Sequence, residues 1–259
     1  MQDELKIALV QSDLIWEGRE QNRKNFKEKI ESISENIDLI ILPEMFTTAF
    51  TMNAKDNAET MQGKTVVWMQ TIAKNQKVAI VGSIIIEEEN NYFNRLLFVH
   101  PEGKIEYYNK RHTFGYAGED KVFTHGHKKL LIDYRGWKLF PLVCYDLRFP
   151  VWARNVDGYD ALIYVANWPK PRVNAWDALL KARAIENMSY CIGVNRIGVD
   201  NQENEYVGHS AVYDVLGNIL TTIRPNIEQI EIVTLQKRHI KYHRNKLGFL
   251  NDRDAFNFD

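Results

Sequence analysis

The chain alternates short apolar runs with polar stretches that carry apolar residues at helical spacing. Residues 6–11 are a first apolar run, read as a strand. Residues 19–34 are polar but place Phe26, Ile30 and Ile33 on one helical face. Residues 38–42, D-L-I-I-L, are densely apolar and stop at Pro43-Glu44. Together they predict a β-α-β unit with parallel strands and a right-handed crossover. A broad apolar stripe of Val66, Val67, Met69, Ile72 and Ala73 predicts a helix over 62–75, followed by strands at 78–86 and 91–100. Pro101-Glu102-Gly103 turns the latter into a further strand at 104–108.

The second half repeats the theme. Strands at 129–134 and 138–143 form a hairpin around Arg135-Gly136, and 161–166 (A-L-I-Y-V-A) is a buried strand ending at Asn167-Trp168-Pro169. A helix over 174–189 buries Trp176, Leu179, Leu180, Ala184 and Met188, and a strand follows at 190–194. A hairpin of 210–215 and 219–223, a strand at 227–235 and a terminal helix at 236–245 complete the pattern. No repeat or low-complexity linker interrupts it, so residues 1–259 are expected to form a single domain, with a core over about 6–235 and a C-terminal helix and tail over 236–259. Parallel β-α units interleaved with hairpins leave helices for one face of each sheet. The expectation is an α/β fold, a four-layer α-β-β-α sandwich with mixed sheets.

One long stretch has no period. Residues 109–126 hold Lys110, Arg111, His112, Phe114, Tyr116, Glu119 and Phe123 among three glycines. A loop of this length is functional or disordered, and its aromatic content argues against disorder.

Composition narrows the classes. With 259 residues, 45% hydrophobic, 26% charged and a formal net charge of −1, the chain has no basic field to hold nucleic acid or an anionic membrane. The basic segments 121–129 and 236–246 read as solvated faces. The N-terminus lacks the pattern of a signal peptide, and no apolar run approaches the roughly 20 residues of a membrane span. Two cysteines in apolar runs suit a reducing compartment. A cytoplasmic protein is therefore expected.

Chemistry concentrates at strand ends. Glu44, Cys144 and Asn167 each follow an apolar strand, the position where open α/β sheets place their ligands. Lys110 opens the aromatic loop after another strand. Alone, each has an ordinary explanation: a buried cysteine, a surface carboxylate, a surface lysine, a turn-capping asparagine. Jointly they hold the parts for acyl transfer. A thiol needs a base, a carboxylate in a dry site can serve, and a cation stabilises a tetrahedral oxyanion. The histidines, His112, His125 and His127 among them, lack metal-ligand spacing, so no metal is expected.

The motifs P-E-M-F at 43–46, Y-N-K-R-H at 108–112, C-Y-D-L-R-F-P at 144–150, A-N-W-P at 166–169 and R-A-I-E-N at 183–187 resemble those of the nitrilase, or carbon–nitrogen hydrolase, superfamily. The likeness runs from about residue 6 to 235 and is strongest to the bacterial omega-amidase branch. That branch cleaves the terminal amide of 2-oxo acid amides such as 2-oxoglutaramate and 2-oxosuccinamate. The resemblance implies an α-β-β-α fold, usually dimerised, and chemistry without a cofactor. By carry-over Glu44 is the general base, Lys110 the electrostatic stabiliser and Cys144 the nucleophile. Glu119 is matched to a second active-site glutamate through the E-x-x-x-F-x-x-G spacing completed by Phe123 and Gly126. The oxyanion is expected between Lys110 and a backbone N–H near Tyr145. Phe114, Tyr116 and Trp168 are expected to wall the pocket, with Asn167 beside them. Arg111, His112, Arg172 and Arg196 are candidate donors for the substrate carboxylate, and Arg148 reads as a structural ion pair. The expected partners are a small amide, water and a second copy of the chain. Another branch of the superfamily (an amidase, an N-carbamoyl amidohydrolase or a nitrilase) and a non-catalytic binding protein remain the alternatives.

Overall fold

The computed structural model of the protein describes residues 2–257. In chain order its strands are β1 (Glu4–Gln11), β2 (Leu39–Ile41), β3 (Ala79–Glu88), β4 (Asn91–Val99), β5 (Ile105–Asn109), β6 (Ile132–Tyr134), β7 (Trp137–Val143), β8 (Ala161–Ala166), β9 (Tyr190–Asn195), β10 (Ile197–Val199), β11 (Glu205–Val207), β12 (Ala211–Tyr213) and β13 (Gln229–Gln236). Its helices are α1 (Arg19–Glu31), α2 (Ala54–Asn57), α3 (Lys64–Gln76), α4 (Pro150–Ala153), α5 (Val173–Asn187) and α6 (Lys237–Leu247).

Two mixed sheets result, ordered β13-β1-β2-β3-β4-β5 and β12-β9-β8-β7-β6. Each is built on a parallel triplet, β1-β2-β3 in one and β7-β8-β9 in the other, with antiparallel neighbours outside. The side-chain alternation of a strand explains the layering. On β1, Leu5, Ile7 and Leu9 enter the core shared with the second sheet, while Ala8 and Val10 join Phe26 and Ile30 of α1 and Met69 and Ile72 of α3. Burial on both faces is what makes such strands read as unbroken apolar runs. On the other side α5 lies so close to β9 that a Cβ on Gly193 would meet Leu180 Cδ1 at 2.5 Å and Trp176 Cζ2 at 2.6 Å. The order of layers is helix, sheet, sheet, helix, as the sequence pattern predicts.

Several elements depart from their expected form. α1 ends at Glu31, where the Ser32 N–H closes the last turn on Glu28 O. The expected hairpin over 210–223 keeps only β12, and its return strand is reduced to a single bridge between Tyr213 and Ile219. The β10–β11 ribbon was not anticipated, because each strand has three residues around a polar turn. The aperiodic loop contains two 3-10 turns, Gly115–Ala117 and Glu119–Lys121. Among the described residues no helix is long and apolar enough to cross a membrane.

Candidate active site

The C-terminal ends of β2, β7 and β8 meet where the two sheets adjoin. β7 ends at Val143, and Cys144, which follows it and opens a 3-10 turn over Cys144–Arg148, takes a left-handed backbone (φ +44°). A non-glycine residue held there costs about 1–3 kcal/mol and persists only where its surroundings fix it. The buried carboxylate of Asp146 does so. It accepts the N–H of Val143 at 3.0 Å, the hydroxyl of Tyr108 at 2.9 Å and the N–H of His112 at 3.0 Å. It thereby ties the turn after β7 to residues on both sides of Lys110. β2 ends in a similar corner, where Met45, directly after Glu44, has φ +43° and donates its N–H to Ser83 Oγ at 2.9 Å.

Glu44, Lys110 and Glu119 are all within 1% of full burial. Lys110 Nζ donates to Glu44 Oε1 at 2.9 Å and to Glu119 Oε1 and Oε2 at 3.0 and 2.8 Å. Glu44 Oε2 accepts the backbone N–H of Asn167 at 2.8 Å, and the Asn167 side chain donates to the Glu44 carbonyl at 2.7 Å. The Glu119 carboxylate also accepts the N–H of Phe114 and so fixes the aromatic loop to the cluster. The loop returns to the sheet when the Gly126 N–H meets the Lys110 carbonyl at 2.9 Å.

Burial pushes the Cys144 thiol well above its ordinary 9.0, and the Glu44 charge adds to the shift against the opposing pull of Lys110. Burial also acts against the Lys110 ammonium, but the Glu119 and Glu44 carboxylates outweigh it and hold the amine charged. Glu119 is raised, first by burial and next by Glu44, with Lys110 opposing. The resting site thus contains a protonated thiol, a fixed cation and carboxylates able to move a proton. Such a set can perform nucleophilic acyl transfer, provided that a base removes the thiol proton during attack.

A cavity of about 470 Å³ opens over Cys144 and Lys110. Phe114, Tyr116, Tyr145, Asn167, Trp168 and Arg172 all line it, together with Arg148, Phe50, Met52, Asn204 and Tyr206. Glu44 and Glu119 lie behind this lining. Tyr116 is 89% exposed and marks the mouth, whereas Asn167 and Trp168 are buried. Arg172 stacks over Phe114 at 5.2 Å and Tyr116 at 5.9 Å.

Three candidate donors stand elsewhere. Arg111 binds the Gly126 carbonyl and His127. His112 pairs with Asp146 at 2.7 Å and stacks on Phe149 at 3.7 Å. Arg196 is fully buried and holds Asp13 at 2.8 Å. Arg148 corrects its expected ion pair: it is exposed and lies over the Trp168 ring at 4.9 Å. Sequence reasoning missed Asn94, whose amide donates to Glu44 Oε1 at 2.8 Å and Glu119 Oε1 at 3.1 Å. A polar residue inside an apolar strand was the available signal. It also missed Asn204 and Tyr206, which arrive on the β10–β11 ribbon. Among the described residues no group of three or more His, Cys, Asp or Glu side chains is arranged to hold a metal ion.

The chain is 39% identical to the omega-amidase YafV of Yersinia enterocolitica over 97% of its own length and 98% of the relative's. It is 33% identical to the 2-oxoglutaramate amidase of Bacillus subtilis, covering 83% and 84% of the two chains. Among solved structures it matches XC1258 of Xanthomonas campestris, a CN-hydrolase superfamily protein with an arsenic adduct in its active site. The TM-score is 0.97, with 39% identity and complete coverage of both chains. A sequence model of carbon-nitrogen hydrolases matches residues 6–244, and on that match, spanning both sheets and every strand that bears the site, the chain belongs to the carbon–nitrogen hydrolase family.

Proposed function

We propose that the protein is an omega-amidase that hydrolyses the terminal amide of a small 2-oxo acid amide, 2-oxoglutaramate or 2-oxosuccinamate, to the 2-oxo dicarboxylate and ammonia. The observation that carries this reading is the buried Lys110 bridging Glu44 and Glu119 directly beneath a cavity whose lining includes Cys144. The similarity to an omega-amidase and a 2-oxoglutaramate amidase over most of the chain supports the substrate class.

In the proposed reaction Cys144 Sγ attacks the amide carbon while Glu44 takes the thiol proton. The oxyanion forms between Lys110 Nζ and the Tyr145 N–H. Collapse breaks the C–N bond, and the proton on Glu44 passes to the leaving nitrogen, which departs as ammonia. Water then loses a proton to Glu44 and attacks the thioester, and that proton returns to the thiolate. Glu119 shares the charge of Lys110, so titration belongs to the cluster rather than to one residue. Arg172, with Arg148 nearby in the lining, supplies the positive end for the substrate carboxylate. Phe114, Tyr116 and Trp168 wall the carbon chain, and Asn167 holds Glu44.

Residues 1–259 act as one hydrolase domain, with β13 paired along β1 and Ile240 of α6 in the inter-sheet core. Two free cysteines suit a cytoplasmic setting. Exposed apolar residues on the helices of the second sheet, Val151, Ile185 and Tyr242, suit a homodimer. A sedimentation mass near 30.3 kDa, that of one chain, would remove the dimer.

The test is ammonia release from 2-oxoglutaramate, with Cys144→Ala alongside. The wild type is expected to turn over and the variant to lose all activity while melting normally. Activity above a few per cent in the variant would overturn the nucleophile. No turnover by the wild type would move the substrate to another amide, a carbamoyl compound or a nitrile.

A further inference from the structure

The proposed base needs one oxygen free to accept a proton, and the hydrogen bonds around Glu44 differ between its two oxygens. Oε1 receives two donors, Lys110 Nζ at 2.9 Å and Asn94 Nδ2 at 2.8 Å. Oε2 receives one, the Asn167 N–H at 2.8 Å. A carboxylate oxygen has two lone pairs in its plane. Oε1 is therefore filled, and Oε2 keeps one acceptor position. The Cys144 thiol lies beside this carboxylate, whose charge acts on it, and donates to the carbonyl of Asn167, the residue whose N–H occupies Oε2, at 3.9 Å.

Asn94 is 1% exposed and sits on β4 opposite the apolar Ile85 of β3. Its carbonyl accepts the Lys110 N–H at 3.0 Å. Its Nδ2 hydrogens go to the two carboxylates, Glu44 Oε1 and, at 3.1 Å, Glu119 Oε1. The facing charged and titratable groups are Glu44 from the end of β2, Lys110 from the end of β5, Glu119 from its 3-10 turn and Cys144 from the end of β7. Lys110 alone cannot balance both carboxylates. The amide provides two further donors and no charge. A leucine here would strand those acceptors in a dry site, and an aspartate would add a repelling charge.

We propose that Asn94 is a positioning residue that, with Lys110, occupies Oε1 of Glu44 and so leaves Oε2 as the single oxygen that takes the thiol proton. This rests on the reading of Glu44 as the base, and the test keeps the two apart. Asn94→Asp preserves shape, removes both donors and adds a carboxylate. With 2-oxoglutaramate, its kcat is expected to fall about 100-fold, with KM within about threefold. The acid limb of its kcat/KM profile is expected to rise by about one pH unit, because added negative charge disfavours ionisation of the cluster. The rate of Cys144 alkylation by iodoacetamide, which requires no knowledge of the substrate, should shift the same way. Asn94→Leu should lose kcat and, by stranding buried acceptors, some stability, and if it fails to fold, the near-isosteric aspartate variant carries the test.

A folded Asn94→Asp protein with both profiles displaced supports the assignment. A folded variant whose profiles stay in place overturns it, whether kcat is retained or lost, since loss without displacement marks a packing role only. A wild type that alkylates with the expected profile but releases no ammonia would count against the substrate and leave the Asn94 comparison to be read from alkylation.

Discussion

At the scale of single residues the site is governed by where charge is allowed to sit. Cys144 is a thiol at rest because burial and the neighbouring Glu44 charge both oppose the thiolate. Its reactivity must come from a base acting during attack. Lys110 is in the opposite position: burial alone would discharge it, and two carboxylates keep it charged. The dependence is mutual, which gives a prediction. Lys110→Met leaves Glu44 and Glu119 buried without a cation, and breaking a buried pair by removing one partner costs about 3–5 kcal/mol. Cys144→Ala removes no charge at rest and should cost far less. Denaturant unfolding of the two variants beside the wild type checks this. Equal stabilities would mean that a proton, rather than Lys110, neutralises the carboxylates. The substitution at Lys110 should also abolish turnover, but the difference in stability is the sharper reading, because it needs no substrate.

At the scale of elements, the site depends on how the aromatic loop is fastened. It leaves β5 at Lys110 and returns at Gly126, whose N–H meets the Lys110 carbonyl at 2.9 Å. A Cβ on Gly126 would lie 1.9 Å from the Asn109 carbonyl oxygen and 2.7 Å from its carbon, both backbone atoms with little freedom to yield. Gly126→Ala is therefore expected to lose roughly 1–3 kcal/mol, the usual range for an overpacked site. It should also lose kcat, because the displaced Asn109 carbonyl is bonded to the backbone nitrogen of Lys110. Thermal melts with steady-state kinetics test this, and unchanged values would show that the loop closes elsewhere. The loop also marks where sequence stops being legible. Glu44, Cys144 and Asn167 could be found because each ends an unbroken apolar run, a signal contained within a few residues. Asn94 could not be placed, since one polar residue within a strand usually reads as facing water. Its partners Glu44 and Glu119 are 50 and 25 residues away. The β10–β11 ribbon, at three residues a strand, is too short for alternation to appear. Arg148 reads as an ion-pair residue in its motif, yet it stacks on Trp168, a contact set by two chain segments meeting at the cavity.

At the scale of the whole molecule, the two parallel triplets explain why one protein can build so dry a site. Both direct their strand ends to the same junction, and both bury side chains on either face. The apolar pattern therefore predicts the layers well. The same burial traps ionisable groups that have no part in the proposed chemistry. Tyr164, on β8 between Leu142 and Gly193, is fully buried, and its hydroxyl has no hydrogen-bond partner among the described residues. Burial raises its phenol well above 10.0. As an acid with a raised pKa, it keeps its full contribution to stability below about that pH. Above it the unfolded chain sheds the proton first, and the contribution is lost. Tyr108, Tyr159, Cys144 and Cys191 are raised by burial in the same direction. Stability should therefore decline steeply on the alkaline side, from about pH 9.0 upwards, where the first of these groups would ionise in the unfolded chain. Tyr164→Phe removes one contributor together with an unpaired donor. The variant should gain about 1 kcal/mol at neutral pH, the low end of the cost of a buried unsatisfied polar group. It should also show a shallower decline above pH 10.0 than the wild type. Denaturant melts across the alkaline range measure both. A loss of stability at neutral pH would mean that a buried water satisfies the hydroxyl, and the same slope above pH 10.0 would mean that the phenol ionises without unfolding the sheet around it.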